Sequence, residues 1–183
     1  MFIICIIISN SGINQDFNNI KRGYTMSTRS NVLIKSGDTN IWIYRHMDGY
    51  LSETGYNLAV TLAHSKSFTD FMSQLLSYKY DPSIYSSYRK AEPIYGITTE
   101  QHGDIEFLYT FEFDRSMPHF VKVQVFSIGW GENKDNCLID TEFSINNENV
   151  QKHLKLIFDE RNKVEKMHIA FDKKLMEEGY TVN

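Results

Sequence analysis

Hydrophobic and polar residues alternate in several short stretches of this chain, the pattern of half-buried β-strands. Two of these stretches, 31–35 and 40–45, are separated by the sequence SGDT, whose Gly and Asp favour a hairpin turn. Later stretches with strand character are 94–97, 104–113, 120–128 and 137–143. The clearest is 104–113, DIEFLYTFEF, in which every second residue is apolar. The pattern predicts an N-terminal hairpin followed by an antiparallel meander.

Helical spacing of apolar residues occurs in three further places. We expect a helix over 53–63 and a second one from Ser67, where Ser67 and Asp70 resemble a capping box with Asp in place of Glu. A long helix is predicted over 147–178, with Asn146 as N-cap and Gly179 as C-cap. Together the elements predict an α+β fold, in which an antiparallel sheet packs against two short helices and one long C-terminal helix.

The long helix carries its apolar residues at alternating spacings of four and three, which is also the spacing of a coiled-coil seam. The positions are Val150, Leu154, Ile157, Arg161, Val164, His168, Phe171 and Leu175. Arg161 and His168 interrupt the seam, and Phe158 widens the apolar stripe. We therefore expect the helix to lie across its own sheet, with a homodimer through the seam as the alternative.

Composition sets limits on the class of protein. A chain of 183 residues with 42% hydrophobic and 23% charged residues is the size and composition of one globular domain. The net charge is -4 and no run of Lys and Arg occurs, which argues against binding to long nucleic acid. Of the two cysteines, Cys5 lies in a segment that we do not expect to fold, so Cys137 is expected to be free and the compartment reducing, as in the cytoplasm.

The N-terminal segment differs from the rest of the chain. It opens with MFIICIII, which is far shorter than the ~20 residues needed to span a bilayer and lacks the features of a signal peptide. The purine-rich codons that can encode Lys21-Arg22-Gly23 would suit a ribosome-binding site ahead of Met26. We hypothesise that 1–25 is a translated leader and 26–183 a single domain. A short membrane-associating tail is the alternative.

Two polar stretches are candidates for a functional site. In the first, YRHMDGY at 44–50, His46 ends a strand and Asp48 begins a glycine turn, so both would lie at a strand-to-helix edge. The structural alternative is that Asp48 satisfies the turn, Gly49 adopts positive φ and His46 is a bonded edge residue.

In the second stretch, HGDIEFLY at 102–109, His102, Asp104 and Glu106 would share one face if the strand extends back to His102. Such residues are ~7 Å apart along a strand, so His46 or Asp48 would have to complete any shared site. A solvated polar face opposite an aromatic core is the structural alternative.

These motifs, together with MSTRS at 26–30, resemble those of a group of small proteins encoded by bacteriophages and prophages. Members open with M-[S/G]-T-R, carry Y-x-H-x-D-G-Y, usually followed by Pro, and later show H-G-D-I-E-aromatic-L-Y; here Leu51 stands at the Pro position. The resemblance does not reach the C-terminal helix. It implies a virus-associated accessory protein in the host cytoplasm, supports a start at Met26, and transfers no catalytic residue. A role in counteracting host defence would fit it.

Common enzyme motifs are missing, among them GxGxxG, GxxxxGK[ST], HExxH, GxSxG and CxxC. We therefore expect a protein that binds a small polar, nucleotide-like ligand or a host protein. We do not expect a membrane to be among its partners. The candidate ligand-binding residues are Arg29, Tyr44, Arg45, His46, Asp48, Tyr50, His102, Asp104, Glu106 and Tyr109. The arginines would act as charge-assisted donors and the tyrosines as stacking surfaces. The sequence identifies no cofactor, and this hypothesis assigns no metal ligands.

Two other classes of function remain open at this point. A metal-assisted phosphoester or phosphoanhydride hydrolase would use His46, Asp48, His102, Asp104 and Glu106 as ligands and general base. A structural or assembly protein would instead dimerise through the C-terminal helix.

Overall fold

The computed structural model describes residues 28–79, 93–128 and 136–181. The strands are β1 Ser30–Ser36, β2 Thr39–Arg45, β3 Gly96–Thr98, β4 Phe107–Phe113, β5 Phe120–Ser127 and β6 Asn136–Ser144. The helices are α1 Tyr56–His64, α2 Phe68–Ser77, α3 Asn147–His153 and α4 Lys155–Glu177, and a π-helical turn, Leu51–Gly55, leads into α1. The hypothesis of a leader at 1–25 concerns residues outside these ranges.

The strands form one mostly antiparallel sheet in the order β3-β2-β1-β4-β5-β6. The predicted hairpin is β1 and β2, and the predicted meander is β4, β5 and β6, so the α+β fold is confirmed. These two units are joined in the middle of the sheet by β1 and β4, which run parallel, with Ser30 beside Phe107. That pairing was not predicted, because a parallel contact between distant segments leaves no local pattern in the sequence.

A single hydrophobic core lies between the helices and one face of the sheet. Val32, Ile43 and Phe111 represent the strand side of the core, and Leu58 and Phe71 the helix side; all are at most 1% exposed. Because successive residues of a strand point to opposite faces, Asn31, Tyr44 and Leu108 belong to the other face of the sheet. We call this second face the Tyr44 face.

The predicted start of α2 is confirmed in detail. Ser67 Oγ accepts a hydrogen bond from the Asp70 backbone N–H at 3.3 Å, and Asp70 Oδ2 accepts one from the Lys66 N–H at 2.9 Å. Ser67 thus supplies the N-cap half of the capping box, whereas Asp70 binds the N–H of Lys66, the residue before the N-cap, and not the Ser67 N–H that Glu binds in the usual box. The first predicted helix is also present, but it begins with the π-helical turn instead of a regular α-helical one.

The predicted long C-terminal helix is present with a break. Leu154 has φ -104° and ψ 26°, which separates α3 from α4. Leu154 and Ile157 are buried in the core, and the Arg161 guanidinium binds the Glu53 carboxylate on the π-helical turn. Beyond Arg161 the helix extends away from this anchor, and Phe171 is 50% exposed. Only the first half of α4 therefore packs on the body of its own domain.

No helix in the described ranges combines the length and the apolar character that crossing a membrane requires.

Candidate functional site

The candidate site forms where the chain crosses from one side of the sheet to the other. β3 pairs with β2 and β4 pairs with β1, so residues 99–106 must pass over the end of the hairpin. The crossing segment is fixed to β1 through its backbone: His102 N–H donates to Asn31 Oδ1 at 2.8 Å, and Glu106 N–H donates to the Arg29 carbonyl at 3.0 Å. The topology thus brings the second polar motif onto the Tyr44 face.

Two aromatic rings stack at the crossing. The His102 imidazole lies on the Tyr44 ring with centroids 3.9 Å apart and planes at 14°. At the hydroxyl end of Tyr44, His46 Nδ1 lies 3.4 Å from Tyr44 Oη, and His46 is exposed. Tyr44 therefore connects one histidine of each motif.

An ion pair borders the stack. Arg29 Nη1 lies 2.9 Å from Asp104 Oδ2, and the Arg29 backbone N–H donates to the Glu106 carboxylate. Within the described part of the chain, Arg29 Nε and Asp104 Oδ1 are buried and have no hydrogen-bond partner. The pair is consequently joined through one oxygen and not as a bidentate fork. Since the side chains are 34% and 45% exposed, solvent screens the pair and its contribution to stability is about 0–1 kcal/mol.

The same surroundings act on the Tyr44 hydroxyl. Burial raises the pKa of Tyr44, the negative charges of Asp104 and Glu106 raise it further, and the Arg29 guanidinium opposes them. The hydroxyl is therefore protonated at neutral pH and offers both a donor and an acceptor.

Arg45, Asp48 and Tyr50 form a separate group on the core side of β2. Arg45 is 4% exposed; its Nε donates to the Met47 carbonyl at 2.7 Å and its Nη1 to Tyr95 Oη at 3.1 Å. Asp48 Oδ2 lies 3.8 Å from Arg45 Nη2, and Tyr50 Oη donates to Asp48 Oδ1 at 3.4 Å. The expectation that Arg45 offers a donor to a ligand is wrong, because its guanidinium is buried and bound to interior groups. The motif at 44–50 is thus divided between the two faces.

Tyr109 is also misplaced by the sequence interpretation. Its ring is 0% exposed, and its hydroxyl donates to the Gly49 carbonyl at 2.8 Å, so it offers no stacking surface to a ligand. The alternation that groups it with Phe111 and Phe113 on the core face was the signal for its burial. Its role in the structure is to hold the turn after β2.

The turn after β2 differs from the structural alternative considered above, in which Gly49 adopts positive φ. Asp48, and not Gly49, adopts positive φ, at 57°. Gly49 is required for space, since a Cβ there would lie 2.6 Å from the Arg29 carbonyl carbon. The Asp48 carbonyl accepts hydrogen bonds from Thr54 N–H at 3.2 Å and Thr54 Oγ1 at 2.6 Å, which closes the π-helical turn.

Asn31 is a site residue that the sequence interpretation missed. It is fully buried on β1, where its Nδ2 donates to the Ile43 carbonyl at 3.1 Å while its Oδ1 holds His102 N–H. A polar amide inside a strand pattern was the available signal. Its two bonds tie the hairpin and the crossing segment together.

No family model, curated protein or solved structure matches this chain. The inference of function therefore depends on the geometry of the site. Among the described residues, no group of three or more His, Cys, Asp or Glu side chains is placed to hold a metal ion. His102, Asp104 and Glu106 instead contact Tyr44 and Arg29, so the ligand set of the hydrolase hypothesis is not assembled in this part of the chain.

A cavity of about 410 Å³ lies away from the candidate site, at the opposite end of β1 and β4. Gly37, Glu112, Arg115, Lys122 and Glu142 are among the residues that line it. Arg115 donates to the Ser36 carbonyl at 3.1 Å, and Lys122 lies 3.8 Å from carboxylate oxygens of both Asp140 and Glu142. Because its cations are already bound to neighbouring groups, we assign no ligand to this cavity.

Proposed function

We propose that this protein is a binding protein that holds a small polar ligand with a planar ring at the Tyr44–His102 stack. The observation that carries the proposal is the stack itself, bordered by the Arg29–Asp104 pair, whose side chains are 34% and 45% exposed. An aromatic pair is extended favourably by a further ring, and each such contact is worth about 0.5–1.5 kcal/mol beyond burial. The neighbouring polar groups would fix the orientation of the ligand.

Charge favours one type of ligand over another. Asp104 already neutralises Arg29, and Glu106 adds a negative charge beside them. A multiply charged phosphate would therefore meet one occupied cation and two carboxylates. A neutral or cationic ring with amino groups suits the site better, because carboxylates accept hydrogen bonds from such groups. A nucleotide-like ligand would accordingly bind through its base.

The test is mass spectrometry of small molecules that copurify with the protein. The His102→Ala variant removes one ring of the stack but keeps the His102 backbone N–H that Asn31 binds, so the crossing segment stays in place. His64→Ala is the matched control, because His64 is an exposed histidine on α1. We expect a ligand with wild type and His64→Ala that is lost with His102→Ala. Equal ligand content in all three proteins would contradict the proposal.

A protein partner is a second candidate, favoured by the exposure of side chains at the site. Arg29 and Asp104 are about a third to nearly half exposed, and His46 is exposed, as in a surface that another protein covers. A virus-associated role, including interference with a host defence signal, rests on the sequence resemblance alone. Protein purified without any bound small molecule, together with loss of a defined host partner in His102→Ala, would favour this candidate over the first.

A further inference from the structure

β6 forms one edge of the sheet, and in the described part of the chain no strand pairs with its outer side. It is nine residues long, whereas β3 at the other edge has three residues. β6 contains neither Pro nor Gly, which often interrupt an edge strand. An edge strand of this length presents a row of backbone donors and acceptors with which an extended segment can pair.

The pairing with β5 fixes which backbone groups of β6 point outwards. Ile145 N–H donates to the His119 carbonyl at 2.7 Å, and hydrogen-bonded pairs alternate with non-hydrogen-bonded pairs along an antiparallel ladder. In the observed register, Thr141 therefore turns its N–H and C=O groups towards β5. Asp140 and Glu142 direct theirs away from β5, to the outer edge of the sheet.

The side chains of the same two residues are carboxylates on the Tyr44 face, because the neighbouring Phe143 points into the core. Asp140 is 53% exposed and Glu142 52%. The Lys122 ammonium lies 3.8 Å from an oxygen of each, and Asp140 also accepts a hydrogen bond from Gln124 at 3.1 Å. Since one lysine is shared by two carboxylates, the edge keeps an excess of negative charge.

Charges alternate in sign from strand to strand in the row that ends at this edge. Lys35 of β1 lies opposite Glu112 of β4. Glu112 in turn lies opposite Lys122 of β5, which lies opposite Glu142 of β6. Opposite charges on neighbouring strands stabilise a sheet, and like charges that face each other destabilise it. Because the row ends on a negative residue, the next position outwards suits a lysine or an arginine.

We propose that the outer edge of β6 binds an extended segment of a partner protein in which two basic residues are separated by one residue. The segment pairs antiparallel, with a basic residue opposite each of Asp140 and Glu142 and a β-branched residue opposite Thr141. A second copy of this chain does not suit the edge, since antiparallel β6 strands centred on Thr141 would set Asp140 opposite Glu142 of the second copy. The proposal does not depend on the ligand site at Tyr44 and His102.

Fluorescence anisotropy of a labelled peptide, SVKTKVS, measures binding to this edge. We expect the peptide to bind wild type, and to bind Asp140→Asn and Glu142→Gln each up to about fivefold more weakly, as expected for one cross-strand ion pair. Glu100→Gln is the matched control, because Glu100 is an exposed carboxylate that follows β3 at the opposite edge; it should bind like wild type. No binding at about 1 mM wild-type protein, or equal binding to all four proteins, would overturn the proposal.

Two N-methylated peptides separate strand pairing from simple charge attraction. Methylation of both lysine backbone nitrogens keeps the charges but removes the N–H groups that face β6. Methylation of the threonine nitrogen, which faces away from β6, is the control. We expect only the lysine-methylated peptide to lose binding. Equal binding of the two peptides would mean that charge alone attracts them, and would refute strand pairing.

Amide hydrogen exchange followed by NMR locates the contact. The peptide should slow exchange of the Asp140 and Glu142 N–H groups, while the Thr141 N–H, which already faces β5, should change little. Unchanged exchange at Asp140 and Glu142 would place the peptide elsewhere and overturn the proposal. Sedimentation equilibrium tests the other occupant. A wild type that is dimeric alone and dissociates when peptide is added would assign the edge to a second copy, against the proposal.

Discussion

Replacing Gly49 by alanine tests how the turn after β2 supports the candidate site. The new Cβ would lie 2.6 Å from the carbonyl carbon of Arg29 and 2.9 Å from both the Arg29 oxygen and the Ser30 nitrogen. All three atoms are backbone atoms at the start of β1, a central strand, so no side chain can rotate away. Gly49 is also held on both sides, by its N–H donating to the Thr28 carbonyl at 2.8 Å and by the Tyr109 hydroxyl.

The expected cost follows from these contacts. Carbon atoms normally approach to about 3.5 Å, so the turn and the strand must separate by about 0.9 Å. Overpacking of this kind costs about 1–3 kcal/mol, and a weakened Gly49–Thr28 hydrogen bond adds about 1 kcal/mol. The smaller conformational freedom of alanine in the unfolded chain returns about 0.4–1 kcal/mol. The net loss in the free energy of unfolding is then about 2 kcal/mol.

Urea unfolding followed by circular dichroism measures this loss. With a denaturant slope of about 2 kcal/mol per M, the midpoint should fall by about 1 M, and Tm should fall by about 4–8 °C. Gly103→Ala is the control, because a Cβ at Gly103 meets no atom within 4 Å. A Gly49→Ala protein with the midpoint of wild type would refute the steric argument, as would an equal loss in Gly103→Ala.

Four further substitutions test single side chains of the fold. Tyr109→Phe removes the buried hydrogen bond to the Gly49 carbonyl and should lower the free energy of unfolding by about 1–3 kcal/mol in urea titrations. Ser67→Ala removes the N-cap of α2 and should lower the free energy of unfolding by about 1 kcal/mol in the same measurement. A hydrogen bond from Gln74 lowers the pKa of Asp70, so the stability that Asp70 contributes should be present at neutral pH and be lost as the pH falls below the ordinary range of carboxyl groups. Comparing the unfolding of wild type and Asp70→Asn as a function of pH measures this loss. Burial raises the pKa of Tyr44. The difference between the tyrosinate absorbance titrations of wild type and Tyr44→Phe should therefore show Tyr44 ionising at a higher pH than free tyrosine. The stability that the protonated Tyr44 hydroxyl contributes should be lost as the pH rises into the range of this ionisation.

Local patterns were sufficient to predict most elements of this fold. The alternation in 104–113 identified β4 and its core face, and the Ser67 and Asp70 pair identified the start of α2 because both depend on neighbours only a few residues away. The break at Leu154 was not predictable, since the apolar spacing continues through it. The parallel pairing of β1 with β4 could not be predicted from the sequence either, because it is decided by packing of the whole sheet.

The candidate site was predictable only in part for the same reason. The sequence would align His102, Asp104 and Glu106 on one face only if the strand extended back to His102, but β4 begins at Phe107 and all three residues lie in the crossing segment. What brings these residues together is the backbone bond to Asn31 and the ion pair with Arg29, both of which join segments more than seventy residues apart in sequence. Sequence spacing carries no information about contacts of that kind.

The arrangement of the sheet explains why polar groups gather at this place. β1 and β4 lie side by side, run parallel and start at the same end of the sheet. β2 pairs with the edge of β1 that faces away from β4, and β5 pairs with the edge of β4 that faces away from β1. In the described part of the chain the crossing segment leads from the hairpin side of the sheet to the meander, and it passes over β2 and β1 to reach β4. Its backbone groups need partners there, which Asn31 and Arg29 supply, and its side chains are thereby held against Tyr44. The stack that carries the proposed binding function is therefore a consequence of how the hairpin and the meander are joined, and a variant that loosens this junction should weaken ligand binding and stability together.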